Sequence, residues 1–238
     1  MKSLADLRIK IFADEANLSS MVALSRLPYI RGFTTNPTLM RKAGITDYRI
    51  FAKMALVALP NLPISFEVFA DDMVGMERQA RKIASWGMQV YVKIPVTNTK
   101  GESTYDLVHR LSYDGIKVNV TAVMTKTQVL EIAMALDGGV ASYVSIFAGR
   151  IADTGRDPMP LMTDIIDLLC SIPSIELIWA SPRELFNIYQ ADEIGCHIIT
   201  ATTDILNKRP FVGKNLTEYS LETVQMFHND AQQAGYKL

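Results

Sequence analysis

The chain has 238 residues, 49% of them apolar and 21% charged, with a formal net charge of −1 and a pI near 6.3. That is enough material for one large α/β barrel or two smaller domains. Near-neutral charge gives no field suited to a nucleic-acid backbone or an anionic membrane, so any bound phosphate must meet local arginines or backbone amides. No basic segment followed by an apolar run and a cleavage site opens the chain, and no export signal is expected. Its most apolar stretches, such as 54–60, are too short to span a bilayer. Cys170 and Cys196 are the only cysteines, which argues against a disulfide framework and fits a reducing cytoplasm. His109, His197 and His228 lack paired-ligand spacing, so no metal site is expected.

Short β-branched runs alternate with longer amphipathic ones. In chain order, strands are predicted at 9–14, 32–34, 64–68, 88–93, 117–121, 142–146, 176–180 and 197–200. Helices are predicted at 18–25, 48–59, 72–86, 103–113, 126–136, 160–170 and 181–190, from apolar residues recurring at three and four. Val129, Ile132, Ala133 and Leu136 are one such face, with Thr125 placed to cap it. The alternation implies parallel strands joined by βαβ crossovers. The expectation is a single (β/α)8 TIM barrel over 1–216. A doubly wound open sheet is the second choice, but no glycine-rich turn follows the first strand. Residues 217–238 read as an additional C-terminal helix with Leu221, Val224 and Phe227 on one face. It is expected to pack on its own barrel or to reach a neighbouring subunit.

A barrel of this type carries its active site at the C-terminal ends of the strands. Those ends supply Asp14; Thr34 and Asn36; Glu67; Lys93; Asn119 and Thr121; Ser145, Phe147 and Arg150; and Ser181 with Arg183. Lys93 is a lone cation in the apolar run 89–96. Burial disfavours a charged ammonium, and a neutral lysine is a nucleophile for carbonyls. Attack on a ketone would leave a protonated Schiff base, an electron sink for cleaving or forming the adjacent carbon–carbon bond. Glu67 is the nearest proton acceptor by strand order, directly or through a water held by Thr121. Asp14, Asn36, Asn119 and Ser145 suit sugar hydroxyls. Arg150 and Arg183, with Ser181, suit a phosphate.

At these residues the chain resembles the transaldolase family, in the short-chain branch that also holds fructose-6-phosphate aldolases. The resemblance runs from Ile9 to about Ile205. It is carried by Thr34-Thr-Asn-Pro-Thr-Leu39, Val92-Lys-Ile-Pro-Val96, Val118-Asn-Val-Thr121, the segment 145–153 and Ala180-Ser-Pro-Arg183. It implies that Lys93 is the Schiff-base lysine and that Asp14, Glu67 and Thr121 form the acid–base group. Thr34, Asn36, Asn119 and Ser145 would position the dihydroxyacetone part, and Arg150, Ser181 and Arg183 would hold the phosphate. The similar aldolases carry Gln where Glu67 stands and Tyr where Phe147 stands. Phe147 offers no hydroxyl to protonate a bound carbanion, which favours transfer over release.

Departures from the pattern flank the site: Glu15 after Asp14, Ile146 after Ser145, and Pro182 between Ser181 and Arg183. The expected activity is transfer of dihydroxyacetone from fructose 6-phosphate or sedoheptulose 7-phosphate to an aldose phosphate. An aldolase releasing free dihydroxyacetone and a catalytically silent sugar-phosphate-binding barrel are the alternatives. No metal or organic cofactor is implied. A homo-oligomer is expected because short transaldolases tend to form rings in which the C-terminal helix embraces a neighbour.

Overall fold

The eight strands pair in sequence order, all parallel, and the eighth closes on the first in a barrel. The protein is described by a computed structural model over residues 2–237. The strands are β1 (Lys10–Asp14), β2 (Ile30–Thr34), β3 (Ile64–Glu67), β4 (Val90–Pro95), β5 (Val118–Val123), β6 (Ser142–Ile146), β7 (Ile175–Trp179) and β8 (Ile198–Thr202). Around them lie α1 (Leu18–Ser25), α2 (Pro37–Lys42), α3 (Tyr48–Ala58), α4 (Met73–Ala84), α5 (Tyr105–Tyr113) and α6 (Lys126–Leu136). The series continues with α7 (Ala148–Ala152), α8 (Met159–Leu169), α9 (Phe186–Glu193), α10 (Thr203–Leu206) and α11 (Leu216–Ala234). The predicted barrel is thus observed. Three short helices, α2, α7 and α10, escaped the periodicity because none completes two full turns.

Local chemistry explains most helix starts. The side chains of Asn17, Asn36, Asp47, Asp72, Thr125 and Asn215 each accept a backbone N–H in the first turn of the helix that follows. Pro37 occupies the first position of α2, where its missing N–H costs nothing. The helix expected at 181–190 instead begins at Phe186. Ser181 lies in the left-handed region at φ 60°, and the Asn187 side chain accepts the N–H of Arg183 and of Glu184. A loop therefore carries Arg183.

Side chains alternate along each strand, and the alternation divides the core. One set, including Ile11, Phe33, Ile64, Val92, Ile94, Val118, Val120 and Val144, packs against the helices. The other fills the barrel interior with Phe12, Tyr91, Tyr143, Ile178 and Ile198. Tyr91 and Tyr143 stack at 3.8 Å, and Phe12 meets Tyr143 edge-on at 5.8 Å. Gly32 makes room for this layer, since a Cβ there would lie 2.6 Å from the Phe12 ring. No residue of α11 is buried, and Leu216, Leu221, Val224 and Phe227 stand exposed along it. None of the described helices is long and apolar enough to cross a membrane.

Candidate active site

Two residues further along the same strands, the interior turns polar. A cavity of about 500 Å³ opens there, lined by residues from the strand ends and the loops that follow them. Of the twelve predicted site residues, eleven line it; Asn119 alone does not.

Lys93 stands at the centre, buried, in register with Glu67 on one side and Asn119 on the other. Its Nζ lies 3.4 Å from Glu67 Oε2 and donates to the Thr35 carbonyl at 3.3 Å. Asp14 accepts from Thr34 Oγ1 at 2.7 Å and from Asn36 Nδ2 at 3.2 Å. Asn36 serves twice, because its Oδ1 also accepts the Leu39 N–H that starts α2. Burial pushes the carboxyls of both Asp14 and Glu67 above their ordinary values. The Lys93 charge opposes the rise at each, and Asp14 adds to it at Glu67. Tyr48, on α3, donates its hydroxyl to the Glu67 carbonyl at 2.8 Å and fixes the end of β3 from behind.

Asn119 is fully buried beneath the cavity. Its Oδ1 accepts from Ser145 at 2.7 Å and its Nδ2 donates to Ser65 Oγ at 3.0 Å. It holds Ser145 in place from below. Thr121 is buried on the cavity wall, and its hydroxyl has no hydrogen-bond partner among the described residues. Directly after it, β5 bulges: its register against β6 shifts between Val120 and Val123, and Ala122 sits at φ 61°. Ala122 and Ser181 are the only described non-glycine residues with positive φ, and both line the cavity. Strained backbone of this kind persists where surrounding structure imposes it, and it gathers at functional sites.

The segments after β6 and β7 carry the arginines. Arg150, on α7, lies over the Phe147 ring at 5.6 Å. Arg183 is held by both oxygens of Asp153, with Nε to Oδ1 at 2.8 Å, and its Nη1 donates to Ser181 Oγ at 3.0 Å. Arg183 keeps the exposed Asp153 carboxyl below its ordinary range. Gly149 locks the two loops together: a Cβ there would lie 1.6 Å from the Ser181 carbonyl oxygen.

Glu15 adds no free carboxylate to this cavity. It accepts from the N–H groups of Ala16 and Asn17, from Ser20 Oγ and from Thr203 Oγ1, tying the loop after β1 to α10. Burial acts to raise its carboxyl, but these hydrogen bonds outweigh it and hold the carboxyl below the ordinary range. The sequence reading missed Ser65, Tyr48, Asp153 and Thr200. Among the described residues, no cluster of three or more His, Cys, Asp and Glu side chains could hold a metal ion. An amine beside half-buried carboxyls, facing an open cavity whose wall also carries two guanidinium groups, can exchange protons and accommodate an anion. In its neutral form the amine can attack a carbonyl.

Residues 11–238 match the family model described as Transaldolase/Fructose-6-phosphate aldolase. A relative from Thermoanaerobacter sp. (strain X514), named "Probable transaldolase", is 34% identical over 231 residues, covering 97% of this chain and 100% of its own. Another of the same name, from Dehalococcoides mccartyi, is 35% identical over 199 residues, covering 83% of this chain and 88% of its own. Dihydrodipicolinate synthase from Rhodopseudomonas palustris superposes with a TM-score of 0.58 at 13% identity, over 93% of this chain and 80% of that one. At that identity the likeness shows the barrel fold alone.

Proposed function

This chain belongs to the transaldolase/fructose-6-phosphate aldolase family, and on that premise we propose that it is a transaldolase working through a Schiff base on Lys93. The observation that carries the reading is the contact of Lys93 Nζ with Glu67 at 3.4 Å, on the wall of a cavity shared with Asp14, Thr121, Arg150 and Arg183.

In this reading the neutral Lys93 amine attacks the ketone of fructose 6-phosphate or sedoheptulose 7-phosphate. Water leaves, and a protonated Schiff base draws electrons from the neighbouring carbon–carbon bond. As that bond breaks, the departing hydroxyl gives its proton to Glu67, directly or through a water on the Thr121 hydroxyl. The aldose phosphate departs and an enamine stays on Lys93. Its attack on the aldehyde of a second aldose phosphate, with return of the proton, reverses the sequence. Asp14, with its carboxyl raised by burial, completes the acid–base group. Thr34, Asn36 and Ser145 hold the dihydroxyacetone hydroxyls, with Asn119 acting through Ser145. Arg150, Arg183 and Ser181 take the phosphate. Phe147 brings no hydroxyl to the cavity wall, which supports transfer over release of free dihydroxyacetone.

Such chemistry belongs to carbohydrate metabolism of the pentose phosphate type, in the cytoplasm. We also propose that residues 217–238 form a C-terminal element apart from the barrel; the uncovered apolar residues of α11 support a role in contacts between copies of the chain in a homo-oligomer.

The test is a borohydride trap with fructose 6-phosphate, followed by peptide mass mapping. A reduced dihydroxyacetone adduct on Lys93 is expected, and Lys93→Met should lose both adduct and turnover, by ~10⁴-fold or more. An adduct on another residue, or substantial turnover in the folded variant, would refute the mechanism.

A further inference from the structure

β8 contributes a side chain to the cavity that the reaction scheme above leaves unused. Thr200 lies inside the barrel, 6% exposed, and lines the cavity. Its Oγ1 is 2.6 Å from Thr34 Oγ1, and Thr34 Oγ1 is 2.7 Å from Asp14 Oδ1. Three oxygens on β8, β2 and β1 thus form one chain ending at a carboxyl.

Each hydroxyl has one proton, and a 2.6 Å contact between oxygens requires a proton between them. When Asp14 is ionised it can only accept, so the Thr34 proton points to it. The Thr200 proton must then point to Thr34. When Asp14 is protonated its own O–H can donate to Thr34, and both hydroxyl protons turn round so that Thr34 donates to Thr200. Either direction satisfies the chain, but the bonds differ in strength. Only the ionised arrangement ends in a charge-assisted bond, and Thr200, by donating, polarises Thr34 into a better donor to it.

We propose that Thr200 is a positioning residue whose hydroxyl, acting through Thr34, stabilises the ionised form of Asp14. The other groups facing Asp14 work in mixed directions. Lys93 on β4 favours ionisation, as does the Asn36 amide after β2, whereas burial and the neighbouring Glu15 disfavour it. Glu67 on β3, when ionised, disfavours it too, since the two carboxylates repel. Thr200 acts beside these through a neutral hydroxyl and adds no charge of its own. Its importance for the reaction rests on the reading of Asp14 as part of the acid–base group.

The experiment titrates the Asp14 carboxyl by ¹³C NMR in the full-length protein labelled at aspartate, its resonance identified by its loss in Asp14→Asn. Thr200→Val should move the midpoint upward by about half a pH unit, because the lost polarisation weakens a charge-assisted bond. Thr200→Ser should restore the wild-type midpoint. If Thr200→Val does not fold, Thr200→Ala carries the same expectation. An unchanged or lowered midpoint in the folded valine or alanine variant, or a serine variant that shifts as far, would overturn the proposal. The pH profile of kcat/KM for fructose 6-phosphate should move by the same amount. If the carboxyl moves and that profile does not, the positioning stands and the assignment of Asp14 to the reaction fails.

Discussion

The two halves of the barrel interior are built on the same strands, two residues apart, and could hardly differ more. Phe12, Tyr91, Tyr143 and Ile198 form the lower layer, and Asp14, Lys93, Ser145 and Thr200 stand directly above them. Below, aromatic rings stack and exclude water. Above, carboxyls and an amine share a cavity, two residues hold left-handed backbone and one hydroxyl lacks a partner. A single pleat separates the layer that packs the barrel from the layer proposed to do chemistry. The charges of the upper layer rest on a floor of packed aromatic and aliphatic side chains.

Substitutions should separate the layers. Glu67→Gln should slow turnover by about 10²–10⁴-fold, the usual range for a general acid–base group, while thermal stability holds. In the wild type, the acid limb of kcat/KM should lie above the ordinary carboxylate range of about 4, because burial raises both Asp14 and Glu67. Protonation removes the proton acceptors, so activity falls as pH drops through that limb. A limb at ordinary carboxylate values would contradict the assignment. Phe12→Ala should do the reverse. It should cost about 3–5 kcal/mol in chemical denaturation, as truncation of a buried aromatic does, yet leave kcat of the folded enzyme within a few fold. A large loss of kcat there would mean that the floor takes part in the chemistry.

Smaller effects probe the upper layer alone. Gly149→Ala forces α7, which carries Arg150, away from the loop that carries Arg183, so KM for a phosphorylated donor should rise by about tenfold, as for one lost charge-assisted contact. Its kcat should change much less, and steady-state kinetics would separate the two. Phe147→Tyr should change only product partitioning, raising free dihydroxyacetone relative to transfer by a few fold, measured with and without an aldose phosphate acceptor.

Much of this was legible in the sequence, because strand order and strand ends follow from hydrophobic pattern. Asp14, Glu67 and Lys93 are polar residues in apolar runs, and parallel pairing of consecutive strands brings Glu67 beside Lys93. Residues that act at one remove were harder to see. Asn119 reads as a rim residue, but its place under Ser145 depends on the register of β5 against β6. Ser65 and Thr200 each stand two residues before a strand end, at Glu67 and Thr202, so strict alternation would have pointed both inward. The eighth run, read as ending at Thr200, offered that residue as a strand end, yet the expected site drew on the first seven strands only. Asn36-Pro37 reads as a turn, although a cap followed by proline is also a helix start. Nothing in the local sequence announces that Gly149 abuts Ser181 or that Asp153 grips Arg183, since both contacts join loops far apart in the chain.

The contact between Gly149 and the Ser181 carbonyl also bears on how this cavity can be re-tailored. With no space for even a methyl group between them, the segments after β6 and β7 behave as one cassette whose arginines shift together or not at all. Loop grafts intended to alter the proposed phosphate-binding end of the cavity should therefore exchange residues 147–153 and 181–187 as a pair. A graft of either half alone would carry a seam at its tightest point.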